Sequence, residues 1–174
     1  MPPAYGAAPP PGYGAAPAYQ PQMRYAGWWR RVGAVIIDGL IGAVFGLPFW
    51  VTLVAGPSEI VTCTVDGESG LCEVPTNGTV GIALLLGLIF GVAYVALYCR
   101  RVGGRGQSWG MSATGYQIVD ERTGAFIGTG RSVGRFFARY LSAMPCYLGF
   151  LWPLWDSENR TFHDMIVRTR AVRS

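Results

Sequence analysis

Two long stretches of this chain are almost free of charge. Residues 80–99 contain no charged side chain, and residues 32–55 contain one, Asp38. In helical form, at 1.5 Å per residue, each is long enough to cross a hydrocarbon core of about 30 Å. Helical backbone bonds to itself, which lipid demands because it offers no partners. Trp28, Trp29 and Trp50 lie near the ends of the first stretch, where indole rings favour the interface. Half the chain (51%) is hydrophobic and 14% is charged, against about 25% charged in soluble domains. An ordinary soluble enzyme, a disordered charged chain and a coiled coil are all excluded. The expected fold is an α-helical integral membrane protein with two transmembrane helices, at about 32–55 and 80–99.

The arginines set an orientation. Arg24, Arg30 and Arg31 precede the first span, and Arg100, Arg101 and Arg105 follow the second. The connecting loop 56–79 carries Glu59, Asp66, Glu68 and Glu73, and no Arg. Basic residues stay on the cytoplasmic side, so the N-terminus and the loop 100–135 are expected inside and loop 56–79 outside. A third apolar, membrane-associated segment covers 136–155 but contains Arg139, Pro145 and Pro153. A full crossing would carry Arg160, Arg168, Arg170 and Arg173 outside; a dip that returns near Met144–Pro145 keeps them inside, and the return is expected. Ser112–Asp120, Ala125–Ile127 and Met165–Val172 read as strands of a small cytoplasmic sheet. Gly103–Gly106 reads as a flexible loop leaving the second span. Residues 1–23 hold seven Pro, no charge and two copies of YGAAP, at Tyr5–Pro9 and Tyr13–Pro17. They read as a disordered Pro-rich tail, leaving 24–173 as the membrane domain.

Cys63 and Cys72 share the outside loop, where an oxidising compartment favours a disulfide. Cys99 and Cys146 stand at apolar positions and read as core or lipid-facing residues. Asp38 is the costly residue, since a lone carboxylate inside a span costs roughly 2.5–3.5 kcal/mol on insertion scales. Gly42 and Gly46 continue its face, and Ala83, Gly87 and Gly91 form a matching ridge on the second span. Small-xxx-small ridges let backbones approach, so the spans are expected to dock there. Arg31, on the same face, and Arg135 or Arg139 on the third segment are the expected partners of Asp38. His163, beside Asp164, is the only His, too little for a metal or catalytic constellation by itself. Neither a nucleophile elbow nor a phosphate loop is present. No basic stripe interleaved with aromatics suggests nucleic acid.

Three pieces resemble one family in order. Arg31-x-x-Ala34-x-x-Ile37-Asp38 is similar to the opening signature of the RDD family, small and mostly bacterial membrane proteins named for one Arg and two Asp. Gly106-Gln107-Ser108-x-Gly110 with Gly115–Asp120 resembles its central segment. Leu154–Asp156, Thr161–Asp164 and Thr169-x-Ala171-Val172 resemble its C-terminal signature. The resemblance covers roughly 24–173. It implies Arg31, Asp38 and Asp164 as the name-giving trio. Met111 stands where that family often has Lys. Transport of an unidentified ligand, or sodium/proton exchange, is what the resemblance suggests.

Two functions follow as expectations. One is a transporter or transporter component, with Asp38 as the cation or proton carboxylate. Two or three spans are too few for a path, so a homo-oligomer or larger membrane complex is required. The alternative is a non-catalytic membrane scaffold or assembly partner held by a structural Arg–Asp network. No enzyme, cofactor or metal is expected, and the lipid bilayer of the cell membrane is the expected surrounding.

Overall fold

A computed structural model describes residues 24–144 and 148–174. The Pro-rich tail, the turn at Pro145 and Cys146 lie outside the described residues. Two long helices dominate: α1 (Trp28–Ala55, 28 residues) and α2 (Asn77–Arg105, 29 residues). Both are longer than the apolar stretches within them, because arginines, caps and polar ends extend the helices beyond the charge-free windows. Both are long and apolar enough to cross a membrane, and only 11% and 6% of their most apolar windows are buried. Leu40, Val44, Leu47, Val51 and Val54 of α1, and Leu84, Leu85, Leu88, Ile89 and Val92 of α2, are exposed. A core helix of a soluble protein hides such residues; a contiguous apolar surface of this extent marks a lipid or protein contact.

The far ends of the two helices are joined by a hairpin that the sequence reading treated only as a loop. Strands β1 (Ser58–Val65) and β2 (Glu68–Pro75) pair antiparallel from Ser58↔Pro75 to Val65↔Glu68. Asp66 (φ 53°) and Gly67 (φ 86°) form the turn. Asp-Gly with both residues at positive φ matches the right-handed twist of the strands. Cys63 and Cys72 are joined in a disulfide across the hairpin. Thr76 caps α2, accepting from the Thr79 N–H, and the Thr79 hydroxyl donates to the Pro57 carbonyl at 2.7 Å.

The described residues after α2 gather at the opposite, Arg-bearing end. Helix α3 (Trp109–Thr114) leads into β3 (Tyr116–Asp120), and α4 (Gly128–Ala143) follows. After α4 come α5 (Leu148–Leu151), a 3₁₀ turn (Trp152–Leu154), α6 (Phe162–Ile166) and β4 (Thr169–Arg173). Strands β3 and β4 pair antiparallel, with Ile118 opposite Ala171. The residues before α1 extend this sheet: the Ala26 N–H donates to the Ala171 carbonyl at 2.9 Å and the Arg173 N–H to the Arg24 carbonyl at 2.8 Å. The buried apolar cluster, including Ala34, Tyr98, Val102, Met111, Tyr116, Ile118 and Ala171, sits here rather than between the spans.

Several expectations change. The stretch 136–155, for which a return rather than a crossing was expected, forms no third candidate span among the described residues: it is shared between the end of α4, α5 and the 3₁₀ turn. Its flanks lie at the same end of the molecule, since α4 starts against Gly103 and α6 contacts the start of α1. Of the three expected strands, Ser112–Thr114 belongs to α3, Ala125–Ile127 is a loop, and Met165–Ile166 closes α6. Local helix caps won there: the Ser108 and Thr161 hydroxyls accept from the N–H groups of Met111 and Asp164.

The glycines also act differently. Gly103–Arg105 is the last turn of α2, and Gly106 (φ 69°) ends the helix in the left-handed conformation. The expected docking of two glycine ridges is replaced by rings filling the grooves. A Cβ on Gly42 would lie 3.3 Å from the Tyr94 ring, and one on Gly87 would lie 3.1 Å from Phe49. A Cβ on Gly46 or Gly91 would meet nothing within 4 Å. The close backbone approaches are elsewhere. A Cβ on Gly103 would stand 2.5 Å from the Thr129 nitrogen, and one on Gly110 would stand 2.1 Å from the Ala34 carbonyl oxygen. Gly103→Ala and Gly110→Ala should therefore each destabilise by about 1–3 kcal/mol through overpacking, while Gly46→Ala leaves the melting curve in detergent unchanged.

Candidate functional site

Asp164 is fully buried (0% exposed) and is the centre of the polar structure. Thr161 and Asp164 form a reciprocal cap on α6: the Asp164 N–H donates to Thr161 Oγ1, and the Thr161 N–H donates to Asp164 Oδ2 at 3.2 Å. The cap fixes the carboxylate in one orientation. Arg31 then donates to Oδ2 at 2.5 Å, and Arg135 donates to Oδ1 through Nη2 and through Nε, the latter at 3.2 Å. The Arg31 side chain also donates to the carbonyls of Asn159, at 2.5 Å, and Ala26, at 3.3 Å. Asn159 has a φ of 53°, the left-handed region, and its carbonyl accepts from Arg31 in that conformation. One carboxylate thus ties α1, α4 and α6 together.

Burial by itself would raise the Asp164 carboxyl. The Arg135 and Arg31 guanidiniums outweigh it and hold the group well below the usual carboxylate range. His163 lies beside this cluster, buried, with Nδ1 3.1 Å from Ser142 Oγ and its ring against Phe150. Burial lowers its pKa most; the pull of Asp164 is opposed by Arg135, Arg139 and Arg31, and the imidazole is neutral at pH 7. Its Nε2 is 4.0 Å from Asp164 Oδ1, too long for a hydrogen bond.

Asp38 has different company. The expectation that an arginine answers it is corrected: Ser108 Oγ donates to its Oδ2 at 2.5 Å and the Gly110 N–H to its Oδ1 at 2.8 Å. Arg31 and Arg135 are taken by Asp164 instead, and Arg139 donates to the Tyr98 hydroxyl at 3.1 Å. Asp38 is buried (3% exposed) against α3, and its own carbonyl accepts from the Tyr94 hydroxyl at 2.9 Å. Ser108 therefore both caps α3 and docks it onto α1. The Gly110 contact needs glycine, because the Ala34 carbonyl occupies the place of a side chain.

Arg31, Asp38, Arg135, Arg139, His163 and Met111 share one cavity of about 220 Å³, completed mainly by apolar and aromatic side chains such as Trp28, Val35, Tyr98 and Phe150. Among the described residues no group of three or more His, Cys, Asp or Glu converges as metal ligands would. The disulfide pair stands at the other end of the two long helices, away from this cavity.

Ser108, Gly110, Thr161 and Thr169 (whose hydroxyl donates to the Asp164 carbonyl at 3.4 Å) stood in the quoted motifs without a role at the site, and Asn159 was not singled out at all. The Thr161-x-x-Asp164 spacing is a readable capping signal. The Gly110 and Asn159 contacts are backbone contacts, so the side chains there did not show what they bind.

The RDD family model matches residues 25–168. A "Proline-rich antigen homolog" found in two strains of Mycobacterium tuberculosis is 35% identical over 155 residues, covering 87% of this chain and 65% of that protein. The "Proline-rich antigen" of Mycobacterium leprae is 33% identical, over 86% of this chain and 61% of its own length. The chain thus spans just under two thirds of these mycobacterial relatives. The Bacillus subtilis "Uncharacterized protein YxaI" is 29% identical, over 84% of this chain and 96% of its own. No solved structure matches.

Asp164→Asn should cost about 3–5 kcal/mol at pH 7, because two buried guanidiniums lose their counter-charge. The native carboxyl is depressed, so its contribution is present above about pH 4 and lost as pH falls through the native value. The gap between wild type and Asp164→Asn in thermal melts should accordingly narrow in strong acid. His163 is also depressed, so its neutral burial opposes unfolding above the ordinary imidazole value of about 6.5 and this contribution declines below it. His163→Gln should flatten the stability profile between pH 6.5 and 5, read from the same melts.

Proposed function

The chain belongs to the RDD family, and from that premise we propose that it is a non-catalytic protein of the cell membrane, a scaffold or assembly partner whose Arg–Asp–Asp residues are a structural clasp. The observation that carries this reading is the saturation of Asp164 by Arg31 and Arg135. A carboxylate held by two guanidiniums keeps its charge and has no free oxygen to offer a travelling ion. The clasp closes one end of a two-helix membrane anchor, with the elements that follow α2 folded beneath it.

The orientation belongs to the same proposal. The Arg-bearing end, with the segment before α1 and strand β4 paired together, is cytoplasmic, and the acidic hairpin is extracytoplasmic. The arginine distribution supports this, and so does the Cys63–Cys72 disulfide, which persists on an oxidising side. The lipid bilayer covers the exposed apolar faces of α1 and α2. Gly91, open in the single chain, offers flat surface to another copy or to a larger membrane complex.

A transport role, with Asp38 as the coupling carboxylate, keeps one observation behind it: Asp38 lines the cavity. The two readings separate in reconstituted vesicles. The clasp reading expects Asp38→Asn to leave cation and proton flux unchanged, because asparagine keeps an acceptor for the Gly110 N–H. A loss of flux at normal protein level would establish transport instead. Orientation is read in a background without native cysteines: Ser58→Cys should label only from outside, and a cysteine at Ser174 only from inside.

A further inference from the structure

We propose that the 220 Å³ cavity at the Arg-bearing end receives the monoanionic headgroup of an acyl-chain amphiphile, with Arg139 as the residue that meets the anion. The site rests on the membrane reading above, and goes beyond it by assigning a ligand.

The charge count points to an anion. Arg31, Arg135 and Arg139 face the cavity, while Asp38 faces it and Asp164 stands behind it, leaving a surplus of one positive charge. Arg31 and Arg135 are already committed to Asp164. Arg139 is half-buried; it donates to the Tyr98 hydroxyl and lies over the Tyr98 ring, and neither group carries a counter-charge. A guanidinium has five N–H donors in a fixed fork suited to carboxylate or phosphate. The Tyr98 hydroxyl takes only one of the five. Both Asp38 oxygens already accept from Ser108 and Gly110, so the carboxylate is turned toward α3. Neutral His163 adds no charge.

The remaining walls say what the anion is attached to. Val32, Val35 and Ile36 line one side, and Val35 and Ile36 are exposed on the outer face of α1, at 42% and 57%. That face continues into Leu40 and Val44, also exposed. The cavity's residues on α1 run from Trp28 to Asp38, about 15 Å of helix, from the arginine level to the first apolar turns. A phosphodiester or carboxylate held at Arg139 would thus lie at headgroup depth, with its chain running along the apolar side of α1.

The test is native mass spectrometry of the full chain in an uncharged detergent, titrated with phosphatidylglycerol, phosphatidylcholine and inorganic phosphate. Phosphatidylglycerol should bind about tenfold more tightly than phosphatidylcholine, and Arg139→Gln should remove about that factor, the weight of one charge-assisted contact. Val35→Trp, which fills the mouth and changes no charge, should weaken the same binding and guards against misfolding of the Arg139 variant. Equal binding of the two lipids, an equal loss with Arg105→Gln on the exposed end of α2, or binding of inorganic phosphate at the same concentration as the lipid would each overturn the proposal. Extraction of the membranes with alkaline carbonate reports separately on membrane integration, so failure of the anchor and failure of the site give different results.

Discussion

Asp164 is held by residues 133 and 29 positions away in sequence, Arg31 and Arg135. That single carboxylate, buried with both guanidiniums, decides where the two halves of the chain meet. A buried ion cluster of this sort contributes little net stability compared with an apolar replacement, since desolvation offsets most of the attraction. Its value is positional. Taking away one member leaves charge buried without an answer, so alternatives to the native arrangement are disfavoured. The arrangement also explains why the apolar core collects at one end: α3, β3, α6 and β4 all pack around the segment that the clasp fixes.

Between the two long helices the contacts are of another kind. α1 and α2 are exposed over most of their apolar surface and touch through rings set against glycine, Tyr94 at Gly42 and Phe49 at Gly87. In lipid the hydrophobic effect does not drive such helices together, and packing and hydrogen bonds must. The Tyr94 hydroxyl bonded to the Asp38 carbonyl supplies one such link at depth. The hairpin, its disulfide and the clasp then restrain the pair at both ends.

How much of this was legible varied with the kind of signal. Charge-free length announced α1 and α2, because lipid imposes a rule on every residue of a span. The family resemblance was legible from three short motifs, and the family model covers the same region. Asp38 was legible as a buried carboxylate in need of an answer, but its partners were not. Charge suggested an arginine, whereas a serine hydroxyl and a glycine N–H were brought there by the close approach of α3. The bounds of the segment 136–155 were not legible, because composition is counted over a window, while Gly128–Ala143 forms a helix that begins well before it. The hairpin was readable in Asp66-Gly67, a turn signal whose weight was lost beside the acidic composition of the loop.

The pairing of Arg24 and Ala26 with the last strand has a bearing on biogenesis. The first helix leaves the ribosome with its sheet partner and its counter-charge still more than 100 residues from being made. Until Asp164 and β4 emerge, Arg31 has no carboxylate to close upon, and the first helix can shift along its axis. Its final position is thus set by residues made at the end of translation. Chains that stop short of residue 164 leave the Arg31 guanidinium without the carboxylate that answers it.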